Sequence, residues 1–264
     1  MMNPVIIGVK LPPNLMQFIN DPNFTYSPLW AVILVTLIVA SICGLWNGML
    51  VAYGNIQPMV ATLILMIAGR GIAQLITNGL RIQIFYDPYA FIGNGWLVLP
   101  FSLYIVAFVF VSIWLLTRKT AIGMFIESVG IRARASYFSG IGEKKIKLLA
   151  YTVCAFCAGV AGLIASSNIR TSDSNNIGLY SELDAILAVV IGGTLMSGGR
   201  FSLLASILGA LVIQATTTSM YALGVPASAV LAIKGVVVVF VVILYSEQAR
   251  GFVRRITGQR GAQP

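Results

Sequence analysis

A run of about 20 apolar residues crosses a bilayer only as a helix, because lipid offers no partner to an unpaired backbone N–H or C=O. This chain holds six such runs, at about Leu29–Tyr53, Pro58–Asn78, Trp96–Leu116, Leu148–Ser167, Phe201–Met220 and Val225–Tyr245. Charged residues make up 9% of the sequence, against about 25% in soluble domains, and mean hydropathy is +0.90. The class is therefore an all-α, polytopic integral membrane protein. A further apolar stretch, Glu182–Met196, would be roughly 22 Å long, shorter than the ~30 Å hydrocarbon core. It must tilt, thin the bilayer or stop inside the protein as a re-entrant helix. The expectation is about seven apolar segments, one of them short.

Between Thr117 and Ala150 lies a polar, basic island. It carries Arg118, Lys119, Arg132, Arg134, Lys144, Lys145 and Lys147 against Glu127 and Glu143. Spans on both sides put it at one membrane face, and the positive-inside bias makes that face cytoplasmic. A second basic cluster, Arg250, Arg254, Arg255 and Arg260, closes the chain. Three regions follow: a proline-interrupted segment 1–28, a membrane domain 29–249 with its cytoplasmic loop 117–147, and a basic cytoplasmic tail 250–264. Counting spans from the loop puts Asn168–Ser181 outside and the tail inside. It also puts the N-terminus outside. With no signal peptide or leading basic cluster, that placement points to absent upstream spans and a shortened product.

Net charge is +9, but basic residues clustered beside spans serve topology and contact with anionic membrane lipids. Nucleic-acid binding would need a basic face on a soluble domain, and no segment provides one. The chain has no histidine, and its three cysteines, Cys43, Cys154 and Cys157, all fall in apolar runs. Cys154-x-x-Cys157 without a second pair reads as two small residues on a lipid-embedded helix. No P-loop, metal-ligand set or carboxylate pair emerges: Glu182 and Asp184, two apart on a helix, point to different faces. No catalytic site, metal or cofactor is expected, and energy for any work must come from another subunit or an ion gradient.

Glycines and intramembrane charges are the remaining signals. Gly44-x-x-x-Gly48, Gly69-x-Gly71 and Gly159-x-x-Gly162 suit close helix approach in lipid. Gly192, Gly193, Gly198 and Gly199 bracket a turn that breaks regular helix and exposes backbone, so a hinge or tight contact is expected there. Arg70, Glu182, Asp184, Arg200 and Lys234 are the ionisable residues within or beside spans. Each must face the bundle interior, a water cavity or a partner of opposite charge. The carboxylates also suit the positive end of a helix dipole.

Several runs together carry a resemblance. They are Gly44-Leu-Trp-Asn-Gly48, Gln57-Pro58, Ala61-Thr-Leu63 and Arg70-Gly71, then Ser139-Gly140-Ile141, Gly159-Val-Ala-Gly162 and, most specific, Ser181 to Arg200. The chain resembles the permease subunit of ribose/galactose-type sugar ABC importers over about Ala40–Gly251. It departs from that family in lacking a Gly-Gly-Ile-Asp-Leu-Ser-like motif. The resemblance implies import of a monosaccharide of the ribose, galactose or galactofuranose class across a bacterial inner membrane. It implies three kinds of partner: ATP-binding cassette ATPase subunits, a periplasmic sugar-binding protein and a second permease subunit, identical or not. Within Thr117–Gly130 it implies a helix that seats on the ATPase, with Gly123, Met124, Phe125, Glu127, Gly130, Arg134 and Gly140 as coupling residues. Asn47, Gln57, Arg70, Gln74, Glu182 and Asp184 are the expected pathway side chains. A permease for another small solute such as a branched-chain amino acid, a transport-incompetent shortened permease and an ion-coupled carrier remain as alternatives.

The span count makes a direct prediction. In an S174C variant, a membrane-impermeant thiol reagent labels position 174 in intact cells. Labelling only after permeabilisation would reverse the topology.

Overall fold

The computed structural model describes residues 29–236, apart from 85–86, 97–98, 195–197, 199–200, 227–228 and 231. The expected N-terminal segment, the basic tail and the second half of the last apolar run lie outside the described residues. Nine helices and one two-stranded ladder can be followed among those described: α1 Leu29–Ala52, α2 Pro58–Thr77, β1 Ile82–Gln83, α3 Asp87–Asn94, α4 Phe101–Lys119, α5 Ala121–Ile131, α6 Ala133–Phe138, α7 Glu143–Ile169, β2 Thr171–Ser172, α8 Ser181–Ile191 and α9 Leu203–Ala222. Among them, α1, α2, α4, α7 and α9 are long and apolar enough to cross a membrane. The protein is thus a mainly helical, multi-pass membrane protein.

Local chemistry sets the boundaries. Pro58 occupies the first turn of α2, where its missing N–H costs nothing. Asn78 ends that helix in the left-handed conformation, with φ of 50°, and Gly79 follows at 68°. The Gly79 N–H then reaches the Gln74 carbonyl at 2.9 Å, which closes the last turn. Helix α4 starts five residues later than hydropathy predicts. Gly95 and Pro100 intervene, and Trp96 forms an isolated bridge with Pro100. Helix α7 starts earlier than predicted, at Glu143, which bonds Lys147 one turn on.

Helices α1 and α7 pack antiparallel through small residues. A Cβ on Gly44 would lie 2.4 Å from the Ala155 Cβ and 2.7 Å from the Tyr151 carbonyl oxygen. One on Gly48 would lie 3.0 Å from Leu148, and one on Gly159 would lie 2.8 Å from Ala40. The helices approach this closely because these positions carry no side chain. At the loop end of the pair, Lys144 Nζ sits 5.1 Å above the Tyr53 ring. Cys43, Cys154 and Cys157 are free thiols.

The segment Gly79–Gly95 is more than the polar connection its composition predicts. It holds β1 and the short helix α3, which packs on the far end of α7. Tyr89 and Ile92 are buried against Leu163, with Leu29, Ile33, Leu37, Ile84 and Ile105 around them. Ser167 is fully buried. Its hydroxyl donates to the Tyr89 carbonyl at 2.6 Å and accepts from the Gly93 N–H at 2.8 Å. Strand β1 pairs antiparallel with β2, Ile82 opposite Ser172. These bonds cap the end of the bundle opposite the basic loop.

Helix α8 ends at Ile191, shorter than its apolar run, and folds back on α9. A Cβ on Gly209 would meet the Ala188 carbonyl oxygen at 2.2 Å, and one on Gly192 would meet the Ala205 carbonyl carbon and oxygen at 2.7 Å. The pair is antiparallel. Continued to the start of α8, the same register brings Asp184 level with Ile213, near the middle of α9. Helix α8 therefore begins partway down its neighbour.

Replacing Gly44 by leucine should separate α1 from α7 and lower the apparent melting temperature in detergent, by an overpacking cost of about 1–3 kcal/mol or more. An unchanged melting temperature would contradict this packing.

Candidate functional site

The half of α2 away from the basic loop turns one face toward the segment that follows β2. Between them lies an open cleft of about 720 Å³. Thr62, Arg70 and Thr77 of α2, Ser166 of α7, and Ser172, Asp173 and Ser174 line it, with Leu65, Met66, Ile76 and Ile177 among the apolar contributors. Arg70 makes no ion pair among the described residues. It lies two turns below the end of α2, and a guanidinium at such a depth is tolerated where it faces water. Hydroxyls that both donate and accept, beside one fixed cation, can hydrogen-bond a small polar solute.

The wall opposite α2 is held by its own network. Gln74 Nε2 donates to Asn175 Oδ1 at 2.7 Å, and Asn175 Nδ2 donates to the Gly79 carbonyl at 3.2 Å. Thr77 and Ser174 hydroxyls lie 3.1 Å apart. Asp173 is buried, with 7% of its surface exposed. Its carboxylate accepts from Asn176 Nδ2 and from the Asn175 N–H, both at 2.8 Å, and pairs with Arg81 Nε at 2.8 Å. The Asn176 amide, then the Asn175 N–H and the Arg81 charge, hold this carboxyl below the usual aspartate range against the opposing effect of burial. Arg81 is largely exposed, so solvent screens its share.

Of the expected pathway residues, the structure brings Arg70 and Gln74 to this cleft and its wall. Gln57 lies at the opposite end of α2, as its N-terminal cap. Asn47 is buried in α1, its side-chain oxygen without a hydrogen-bond partner among the described residues. Glu182 is exposed in the first turn of α8. Asp184 is half-buried and accepts from Lys234 Nζ at 2.7 Å. The two deep charges of opposite sign thus neutralise each other.

At the other face, Arg118 and Lys119 end α4, and Gly123 lets α5 fold back on that end. A Cβ there would fall 1.8 Å from the Thr117 carbonyl oxygen. Gly123 and Val129 are buried, Phe125 and Glu127 are half-buried, and Met124 is exposed. Arg134 falls in α6, its side chain outside the described residues. Gly140 ends that turn with φ of 81°. Gly193 and Gly198 adopt φ of 77° and 91°, a region costly for other residues. A Cβ on Gly198 would lie 2.3 Å from the Gly130 carbonyl oxygen. The turn after α8 therefore rests on the end of α5. Gly199 and Arg200 lie outside the described residues.

The helices thus place a polar cleft at one end of the bundle and a helix-bearing basic loop at the other, in a multi-pass membrane protein. Residues 7–242 match the family described as branched-chain amino acid transport system / permease component, and the chain belongs to that family. It is 48% identical over 231 residues to the galactofuranose transporter permease protein YtfT of Escherichia coli K12, covering 87% of this chain and 67% of that one. It is 40% identical to the fructose import permease protein FruF of Bifidobacterium longum, over 81% of this chain and 62% of that protein. It is 36% identical to the ribose import permease protein RbsC of Haemophilus influenzae, over 70% and 59%. The chain spans about three fifths to two thirds of the length of these relatives. No solved structure matches it.

Sequence reasoning missed Arg81, Asp173, Asn175 and α3. Their partners lie about 75 to 100 residues away, and only the proximity of loop ends between spans hinted at them.

Asp173 has a native pKa below its unfolded value of about 3.9. Its charge therefore stabilises the fold above about pH 4, and that contribution disappears as pH falls through the native pKa. The melting temperature of D173N in detergent should lie below wild type at pH 7 and converge with it toward pH 2. A constant difference across that range would show that the charge is irrelevant.

Proposed function

We propose that this chain is the membrane-spanning subunit of an ATP-binding cassette importer that moves a monosaccharide across a bacterial inner membrane. The observation that carries the reading is its 48% identity to a galactofuranose transporter permease across most of the chain, with fructose and ribose import permeases also similar to it. The cleft supports it, since a neutral polyol needs hydroxyl and amide partners and few fixed charges. ATP hydrolysis belongs to separate cassette subunits, and this chain performs no catalysis. Helices α5 and α6 seat on those subunits through Met124, Phe125 and Glu127. A periplasmic sugar-binding protein delivers solute at the cleft, and a second permease subunit completes the pathway. The sequence supplies seven apolar segments, the last at about Val225–Tyr245. Arg200 and the 250–264 tail lie on the cytoplasmic side.

One observation favours a second solute class. Arg70 makes no ion pair among the described residues, and a guanidinium lining the cleft is suited to a carboxylate such as that of a branched-chain amino acid. Both readings are tested in vesicles holding this chain together with added cassette and sugar-binding-protein subunits. ATP-dependent uptake of galactofuranose, galactose, ribose or fructose is expected, lowered at least tenfold by R70A or Q74A. Uptake of leucine or valine with no sugar uptake would establish the second class. No ATP-dependent uptake of either would reject the importer reading.

A further inference from the structure

Helix α1 leaves one stripe of its surface uncovered. Ile42, Trp46, Met49 and Tyr53 recur every third or fourth residue, so they share one face of the helix, and all are exposed. From Ile42 to Tyr53 the stripe runs about 16 Å, roughly half the ~30 Å hydrocarbon core and so the depth of one leaflet. Tyr53 lies at the loop end of the α1–α7 seam, where Lys144 Nζ sits 5.1 Å above its ring. Lys144 and its neighbour Lys145 are both exposed. Lys147, by contrast, is engaged with Glu143. Among the described residues, neither Lys144 nor Lys145 pairs with a carboxylate.

We propose that this end of the α1–α7 pair binds an anionic phospholipid, with the phosphate on Lys144 and Lys145 and an acyl chain along the Ile42–Tyr53 stripe. The site does not depend on which solute the protein carries.

A basic loop attracts an anionic leaflet wherever its charges lie, so net charge alone selects no place. Three features select this one. The cation is held in position, because Lys144 lies over an aromatic ring within the ~6 Å reach of a cation–π contact. An ammonium has three N–H donors, and one ring face does not use them all. The charge is also not spent inside the protein, since the adjacent carboxylate, Glu143, is bonded to Lys147. Finally, the apolar stripe runs from the cation toward the bilayer centre. A phospholipid joins an anion to an acyl chain in that same order. A free phosphate would use the lysines alone, and a neutral lipid would use the stripe alone. A zwitterionic headgroup brings its own cation, which opposes the two lysines. Trp114 and Arg118, one turn apart on α4 and both exposed, place a second ring and cation at the same end of the bundle. Aromatic and basic side chains together mark the headgroup level.

The test uses the full chain, purified in detergent with equal amounts of phosphatidylglycerol and phosphatidylcholine. Native mass spectrometry then counts the lipids retained. Wild type should retain phosphatidylglycerol over phosphatidylcholine by about tenfold, a preference that two lysines near a headgroup can supply. K144Q/K145Q should fall to near parity, and K144R/K145R, which keeps both charges, should keep the preference. In a W30F/W96F/W114F background, phosphatidylglycerol with brominated acyl chains should quench Trp46 fluorescence more than brominated phosphatidylcholine does. Equal retention of the two lipids by wild type would overturn the proposal without recourse to any variant. An undiminished preference in K144Q/K145Q, or equal quenching of Trp46 by the two lipids, would also overturn it. Displacement of the bound lipid by inorganic phosphate would assign the lysines to a free anion instead. Its loss when cassette subunits are added would assign this face to a protein contact.

Discussion

Helices in hydrocarbon gain nothing from hiding apolar surface from each other, because lipid is as apolar as leucine. They hold together where backbones approach closely enough for dispersion and weak polar contacts to accumulate. In this protein that approach is made possible by glycines. Gly44, Gly48 and Gly159 set α1 against α7, and Gly192 and Gly209 set α8 against α9. The other features are arranged around these two seams. Because α7 is fixed to α1, its far end can anchor α3 through Ser167. Because α8 is set partway along α9, Asp184 comes level with Ile213 near the middle of that apolar helix, where a carboxylate needs a cation, and Lys234 supplies it.

The polar groups follow the same logic of enforced pairing. Asp173 is buried at the end away from the basic loop and is met by Asn175, Asn176 and Arg81. Asp184 is met by Lys234. Arg70 is left without an ion-pair partner among the described residues, on the wall of the cleft. An unpaired charge beside a cavity, in a bundle that neutralises its other deep charges, marks where solvent and solute reach the protein. The cleft and the basic loop lie at opposite ends of the helical bundle.

Much of this was legible in the sequence. Hydropathy marked α1, α2 and α9 to within two residues and the starts of α4 and α7 to within five, because a bilayer imposes helix and length together. The paired glycines at 192–193 and 198 were readable as a tight turn, and two of those three positions have positive φ. The need of Lys234 for a partner was also readable, since a lone intramembrane ammonium is costly. Helix α3 was not readable: eight residues carry too little periodicity, and its burial is decided by α7, some 75 residues away. The cleft was half legible. Arg70 and Gln74 stood out as polar residues in a span and Asn168–Ser181 as a polar segment at the pathway entrance, but nothing in that segment said that Asp173 would meet Arg81 or Asn175 would meet Gln74. Asn47 was polar in a span for the same reason and yet lies away from the cleft lining. The described residues include five long spans, and the seventh apolar segment runs beyond them.

The central claim is that α8 starts inside the membrane rather than at its surface. Spin labels placed singly from Ser181 to Ile191 in the full chain in lipid bilayers measure this directly, through the ratio of accessibility to oxygen and to a water-soluble nickel chelate. The account predicts that labels at Leu183 and Ile186 report depths well within the hydrocarbon, while a label at Ser174 reports the outer aqueous surface. A label at Leu183 as exposed to the chelate as one at Ser174 would place the start of α8 at the headgroups and contradict the account.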